Sequence, residues 1–249
     1  MAENLKELLQ EVKPKLTEED LKSKFKEIAE ELFSNYYIEK NGIKYYFMEL
    51  EFYYYSDNHK DFITYPRYAE AGDWFFHASG VDICFDSNLE YDENDKIISD
   101  LSKAHFGGIL IRSLKKVDTN DNSKYLTGPH KCCYDLFDRF SAIDKTFKYP
   151  IIKKKEKAET TIDSCQRFFN FSISDEKKYK NIIDDNYKGI KIEASVEDFK
   201  KYINSDNDHE EYRYRWYAPD EFERWEKQNS KSSYNARPSN SYKHHNKQK

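Results

Sequence analysis

Apolar residues recur at helical spacing near the start of the chain. Leu5, Leu8, Leu9 and Val12 fall on one side of a 3.6-residue repeat, and Pro14 closes that helix. "TEEDLKSKFKEIAEELF" predicts a second helix. Thr17 is placed as its N-cap, acids fill its first turn, and Leu21, Phe25, Ile28, Ala29 and Leu32 mark one face. The repeat then shortens to two. "NYYIEKNGIKYYFMELEFYYY" reads as a hairpin turning at Asn41-Gly42, a dipeptide suited to the positive φ angles of a two-residue turn. In its second strand, alternation sets Phe47, Glu49, Glu51, Tyr53 and Tyr55 on one face. Tyr46, Met48, Leu50, Phe52 and Tyr54 take the other. The second row reads as core. The first interleaves acids with rings.

Further along, residues 56–73 are polar and read as a loop. "DWFFHASGVDICFD" predicts one or two strands bent at Gly80, "LEYDENDK" an exposed acidic loop, and "FGGILIRSLKKV" a strand. "TNDNSKYLTGP" reads as a turn region, and "HKCCYDLFDRF" as a helix with Cys133, Leu136 and Phe140 on one side. A Lys-rich run covers 153–159. "GIKIEA" predicts a strand, "SVEDFKKYI" a helix capped by Ser195, and "EYRYRWYA" a last strand. The organisation expected is a single domain over 1–226 and a basic, disordered tail over 227–249, which holds six Lys or Arg and no acid.

Composition adds that much of the core must come from rings: of 249 residues 16% are aromatic, with 21 Tyr and 17 Phe. A net charge of −5 weighs against a protein that coats nucleic acid, since phosphate binding needs clustered Lys and Arg. Cys84, Cys132, Cys133 and Cys165 form no CxxC pair, so neither a zinc site nor a disulfide framework is expected, and reduced thiols in a cytoplasmic protein fit. No apolar run is long enough for a membrane span, and the acidic, amphipathic N-terminus is not a signal peptide.

The chemistry-bearing candidates lie in the strands. Glu49 and Glu51 point the same way among rings. Such a setting raises a Glu pKa toward the range of a general base, while a solvent-facing pair would be inert. Arg112 interrupts an apolar strand and must meet a carboxylate, either as a structural ion pair or as a group holding a carboxylate and a water. His77, in "WFFHASG", reads first as a core histidine, and no metal motif joins His59, His77, His105 or His130.

Taken in order, "MELEFY" (48–53), "AEAGDWFFHASG" (69–80), "GILIRSL" (108–114), "TGPHKCCYDL" (127–136) and "YRWY" (214–217) resemble the motifs of the alkyladenine (3-methyladenine) DNA glycosylase family. The resemblance covers roughly residues 17 to 220. It implies an α+β fold with a curved, largely antiparallel, open barrel-like sheet packed with helices. It implies a monomeric, monofunctional enzyme without metal or cofactor that releases a damaged purine from DNA by flipping the base into an aromatic pocket. Glu51 would deprotonate the attacking water and Arg112 would help to hold it. Tyr53, with Phe76 or His77, would stack on the base, beside Glu49. The wedge position falls on Ser79, before Gly80, and a Ser is too small to fill the space a flipped base leaves. Single-stranded DNA, or a free nucleoside or nucleotide, is therefore also an expected substrate. A non-catalytic nucleic-acid or nucleotide binding module, and an interaction protein with a buried Arg–Glu pair, are the alternatives.

Overall fold

The structure, a computed structural model, describes residues 3–138, 149–156, 159–167, 176–188, 198, 201–202 and 214–229. Two long antiparallel strands form its spine, β2 (Ile43–Ser56) and β8 (Phe106–Val117). Short strands share their outer edges. Along β2 lie β1 (Tyr36–Lys40), β12 (Arg215–Tyr217) and β3 (His59–Lys60). Along β8 lie β6 (Gly80–Cys84) and β9 (Ser123–Thr127). Beyond them β5 (Trp74–His77) pairs with β6, β10 (Ile151–Lys154) with β1, and β11 (Asp163–Cys165) with β12. All pairings are antiparallel, and the curled sheet forms a half-barrel in a mixed α+β fold. A separate pair, β4 (Tyr68–Ala69) and β7 (Ser87–Asn88), lies apart from it.

The helical periodicity translates directly into packing. α1 (Glu3–Gln10) buries Leu5 and Leu9, with Val12 just beyond. α2 (Glu18–Asn35) buries all five residues of its expected stripe and Phe33 as well. The Thr17 hydroxyl accepts from the Asp20 backbone N–H at 3.1 Å, satisfying one free donor of the first turn. Phe25 is the central ring, 4.9 Å from Phe52, 5.7 Å from Phe85 and 5.2 Å from Tyr214. The hairpin turn has φ of 53° at Asn41 and 80° at Gly42, the pair of positive angles that Asn-Gly favours.

The simple alternation in β2 fails at its middle. The ladder with β8 shifts register between Phe47 and Leu50, the mark of a β-bulge. Tyr45 and Phe47 therefore join Leu50, Phe52 and Tyr54 in the main core under α2. Met48 turns the other way, against Tyr217 of β12 and Phe222 of α5 (Pro219–Asn229). Phe47 and Met48 thus exchange the faces expected of them, while Glu49, Glu51, Tyr53 and Tyr55 stay together.

Other expectations change as well. Residues 56–73 are mostly loop, as expected, apart from the short β3 and β4, but the loop is folded in: His59, Asp61, Phe62, Ile63, Thr64 and Arg67 are buried. The turn region before α3 contains a strand, β9, held by its ladder to β8. α3 (Pro129–Leu136) buries Cys132 and Leu136 rather than Cys133, and Phe140 lies outside the described residues. So do the expected strand at 189–194, most of the helix opened by Ser195, and the tail beyond 229. Among the described residues no helix is long and apolar enough to cross a membrane.

Candidate functional site

One face of the sheet carries most of the buried charge, in two clusters. In the first, Glu49 accepts from the Arg215 Nε at 2.5 Å and also from its Nη2, and the Ser113 hydroxyl donates to its other oxygen at 2.9 Å. Glu51 accepts from the Arg112 Nη1 at 3.0 Å and from the Tyr53 hydroxyl at 2.7 Å, and its Oε1 lies 3.4 Å from Arg215 Nη1. Strand pairing fixes this arrangement: Glu51 stands opposite Arg215 on one side and Leu110 on the other. Glu49, Glu51 and Arg215 are all buried, whereas the Arg112 side chain keeps 20% of its surface exposed. Burial opposes charge on Glu49, but Arg215 and then Arg112 outweigh it and hold its carboxyl below the usual value. Burial lifts the Tyr53 phenol, and the Glu51 charge beside it acts the same way, so Tyr53 is a donor.

A third arginine extends the cluster. Arg167, fully buried, donates to Asp61 at 2.7 Å and to the carbonyls of Phe52 and Tyr202, and lies 4.4 Å over the Tyr53 ring. Each guanidinium is thus compensated, as a charge in a poorly solvated interior requires.

The second cluster centres on Asp82 of β6. Arg67 Nη1 lies 2.8 Å from one of its oxygens and His77 Nε2 lies 2.8 Å from the other. The Ser79 backbone N–H donates to His77 Nδ1 at 3.2 Å, which leaves the ring proton on Nε2, donated to Asp82. Burial opposes charge on Asp82, but Arg67 and then His77 hold its carboxyl below the ordinary range. Arg67 reaches the site from the 61–67 segment. Its Nε donates to the Tyr65 carbonyl at 3.0 Å and its guanidinium lies 4.0 Å over the Phe75 ring. It passes so close to β8 that a Cβ on Gly108 would stand 2.8 Å from Arg67 Nη1 and 2.9 Å from the Ile83 carbonyl.

This second cluster borders a cavity of about 310 Å³. Tyr53, Tyr65 and His77 give it rings, and Arg67, Asp82 and Ser79 give it polar groups. Leu110 and Ile63 add apolar surface, while Asp185 and Asn186 come from the end of α4 (Glu176–Asn186). The Tyr65 and His77 rings lie 4.5 Å apart, centroid to centroid.

The structure sorts the expected residues. Tyr53, His77 and Ser79 line the cavity. Glu51 does not: it stands behind Tyr53, joined to the cavity wall through that phenol. Glu49 is bound to Arg215 and Ser113 rather than facing a ligand. Phe76 alternates to the opposite side from His77, 52% exposed and 4.7 Å from Phe137. Gly80 is a packing position, where a Cβ would meet Pro129 at 3.0 Å and Leu110 at 3.2 Å, and the chain there has φ of 148°. Arg67, Asp82, Tyr65, Arg167 and Arg215 were not anticipated. Asp82 in "GVDICF" and Arg215 in "YRWY" each carry the signal that drew attention to Arg112, a charge inside an apolar strand. Arg67 and Tyr65 carry no such signal.

All four cysteines are free thiols. Among the described residues no three His, Cys, Asp or Glu side chains are grouped to hold a metal ion. No protein-family model, curated protein or solved structure matches the chain.

Proposed function

We propose that the protein binds one planar heteroaromatic ring, a purine base free or within a nucleotide or nucleic-acid chain, in the cavity between Tyr53, Tyr65 and His77. The observation that carries this reading is the makeup of that wall: three rings beside a buried carboxylate and a serine. Base–aromatic stacking contributes about 1–3 kcal/mol per base, and a few polar groups fix which edge is read. Asp82 already accepts from Arg67 and His77, which orient it, and the remaining lone pairs of its oxygens suit N–H donors on a base edge. A volume of about 310 Å³ lies at the small end of ligand pockets, as one ring system requires.

A second reading is hydrolysis of an N-glycosidic bond by a protein of the alkyladenine-glycosylase type, with Glu51 and Arg112 handling the water. It draws support from Tyr53, which touches the cavity and donates to Glu51, and from the exposed part of Arg112. It ranks second because Arg112 and Tyr53 both occupy Oε2 of Glu51, and the remaining Oε1 is buried facing Arg215 at 3.4 Å rather than the cavity.

Calorimetric titration of the full chain with purine bases and nucleosides tests the first reading. Saturable binding is expected, lost in Tyr65→Ala and His77→Ala and kept in Glu51→Gln. Absence of saturable binding to any purine would overturn it. Base release from alkylated and deaminated DNA, single- and double-stranded, tests the second. Release by the natural sequence and none by folded Glu51→Gln would put hydrolysis first.

A further inference from the structure

A second concavity lies between β9 and α3. Lys124 and Leu126 form one wall, and His130, Lys131 and Tyr134 the other, around a volume of about 600 Å³. Its charges are unevenly matched. Asp135 is held by Lys116 at 2.7 Å and by the Tyr45 hydroxyl at 2.8 Å, and Asp138 by Lys40 at 2.5 Å. The acids are thus neutralised from the sheet behind them. Lys124 and Lys131 are exposed, and neither forms an ion pair among the described residues. Tyr134 projects beside these lysines with 78% of its surface exposed.

This groove adjoins the cavity. Pro129, at the start of α3, packs on Gly80, and Gly80 follows Ser79 of the cavity wall. The first turn of α3 thus runs from Pro129, packed on Gly80 next to the cavity wall, to His130 and Lys131 of the groove.

We propose that the groove holds a single-stranded nucleic acid, its phosphates on Lys124 and Lys131 and one unstacked base on Tyr134. On the base-binding reading of the cavity, on which this clause rests, that nucleotide flanks the one whose base enters the cavity. Two uncompensated lysines alone would suit any polyanion. The exposed Tyr134 ring in the same groove selects one that carries bases, because stacking on a Tyr face is open to every base.

The test is fluorescence anisotropy of a labelled single-stranded oligonucleotide with the full chain, over a range of salt, beside the purine titration. Changing both Lys124→Gln and Lys131→Gln should weaken binding and lower the slope of log K against log salt by about 1.4, from about 0.7 per phosphate contact on a single strand. Tyr134→Ala should weaken it by about five- to a hundredfold, and Tyr134→Phe should restore it. All three changes are on the surface and should leave purine binding in the cavity intact. Oligonucleotide binding unchanged in the lysine variant would overturn the proposal. Binding that needs the lysines, ignores Tyr134→Ala and is displaced by polyglutamate would assign the groove to an acidic peptide and overturn it equally. Oligonucleotide binding that needs both, in a protein that takes no free purine, would keep the groove and sink the cavity reading.

Discussion

Glu49 with Glu51, and Asp82, are carboxylates buried on the same face of one sheet, yet their surroundings differ. The glutamate pair is closed from both sides by Arg112 and Arg215, with Ser113 and Tyr53 filling further positions. Asp82 has one guanidinium and one imidazole, and beyond them a cavity. An acid set among apolar residues is thus two different devices. Matched by arginines and shut off from water, it is a brace that joins strands. Matched in part and set beside a cavity, it is, on the reading proposed above, a recognition group. The brace also serves the site, since Tyr53 is held by Glu51 on one side and covered by Arg167 on its ring.

The strongest way to break this contrast is Arg215→Met. It removes the main partner of Glu49 and the group facing Glu51 Oε1, and a buried charge left without its partner costs about 3–5 kcal/mol. Urea denaturation should show that loss. Arg67→Met should cost about 1–3 kcal/mol, because Asp82 keeps His77 and a neighbouring cavity. Equal losses would erase the distinction.

Acid sharpens it. His59 is buried against Tyr54, Tyr202 and Tyr214, and burial, then Arg167 and Lys201, push its pKa down to about 3. In the unfolded chain a histidine titrates near 6.5, so on acidification the unfolded state takes up the proton first. Stability should fall between about pH 6.5 and 3, by on the order of a few kcal/mol at 1.36 kcal/mol per unit. The Glu49 and Asp82 carboxyls, held below their ordinary values, contribute stability that is lost only as pH falls through the acid range below about 4. Denaturation midpoints against pH should therefore show two limbs, and His59→Phe should shrink the upper one, leaving the part due to His105, whose pKa burial also lowers. An upper limb of unchanged size in that variant would place the titration elsewhere.

Smaller effects separate stability from recognition. Gly108→Ala should cost about 1–3 kcal/mol, the usual price of forcing a methyl into a packed site, and should weaken purine binding because Arg67 must shift. Tyr53→Phe removes one bond to a carboxylate but keeps the ring. A loss of about 1–3 kcal/mol in stability with purine affinity nearly unchanged is expected, read by parallel melting and titration.

The parts legible in the sequence are those with a strong local cause. α1, α2, the Asn41-Gly42 hairpin and β8 follow from periodicity, capping and turn chemistry. The bulge in β2 was hidden, because alternation does not record an inserted residue. β9 was hidden by a run dense in Asn, Asp and Ser, and its ladder to β8 overrode that preference. The 56–73 segment reads as a loop because it is polar, and its burial leaves no trace in that polarity. Its polar groups are instead matched by distant ones, Asp61 by Arg167 and Arg67 by Asp82. In the site, Glu49, Glu51 and Arg112 stood out as charges in apolar strands, and Asp82 and Arg215 met the same criterion. Which of them would face a cavity depended on Arg67 and the 61–67 segment, whose path no local pattern encodes.

Arg215 lies 166 residues beyond Glu49. A chain emerging from the ribosome makes β2 and β8 long before β12 exists, and pairing them then would bury two carboxylates against Arg112 alone. The carboxylates of β2 are fully matched only once β12 arrives, so β12 acts as a latch on strands made long before it.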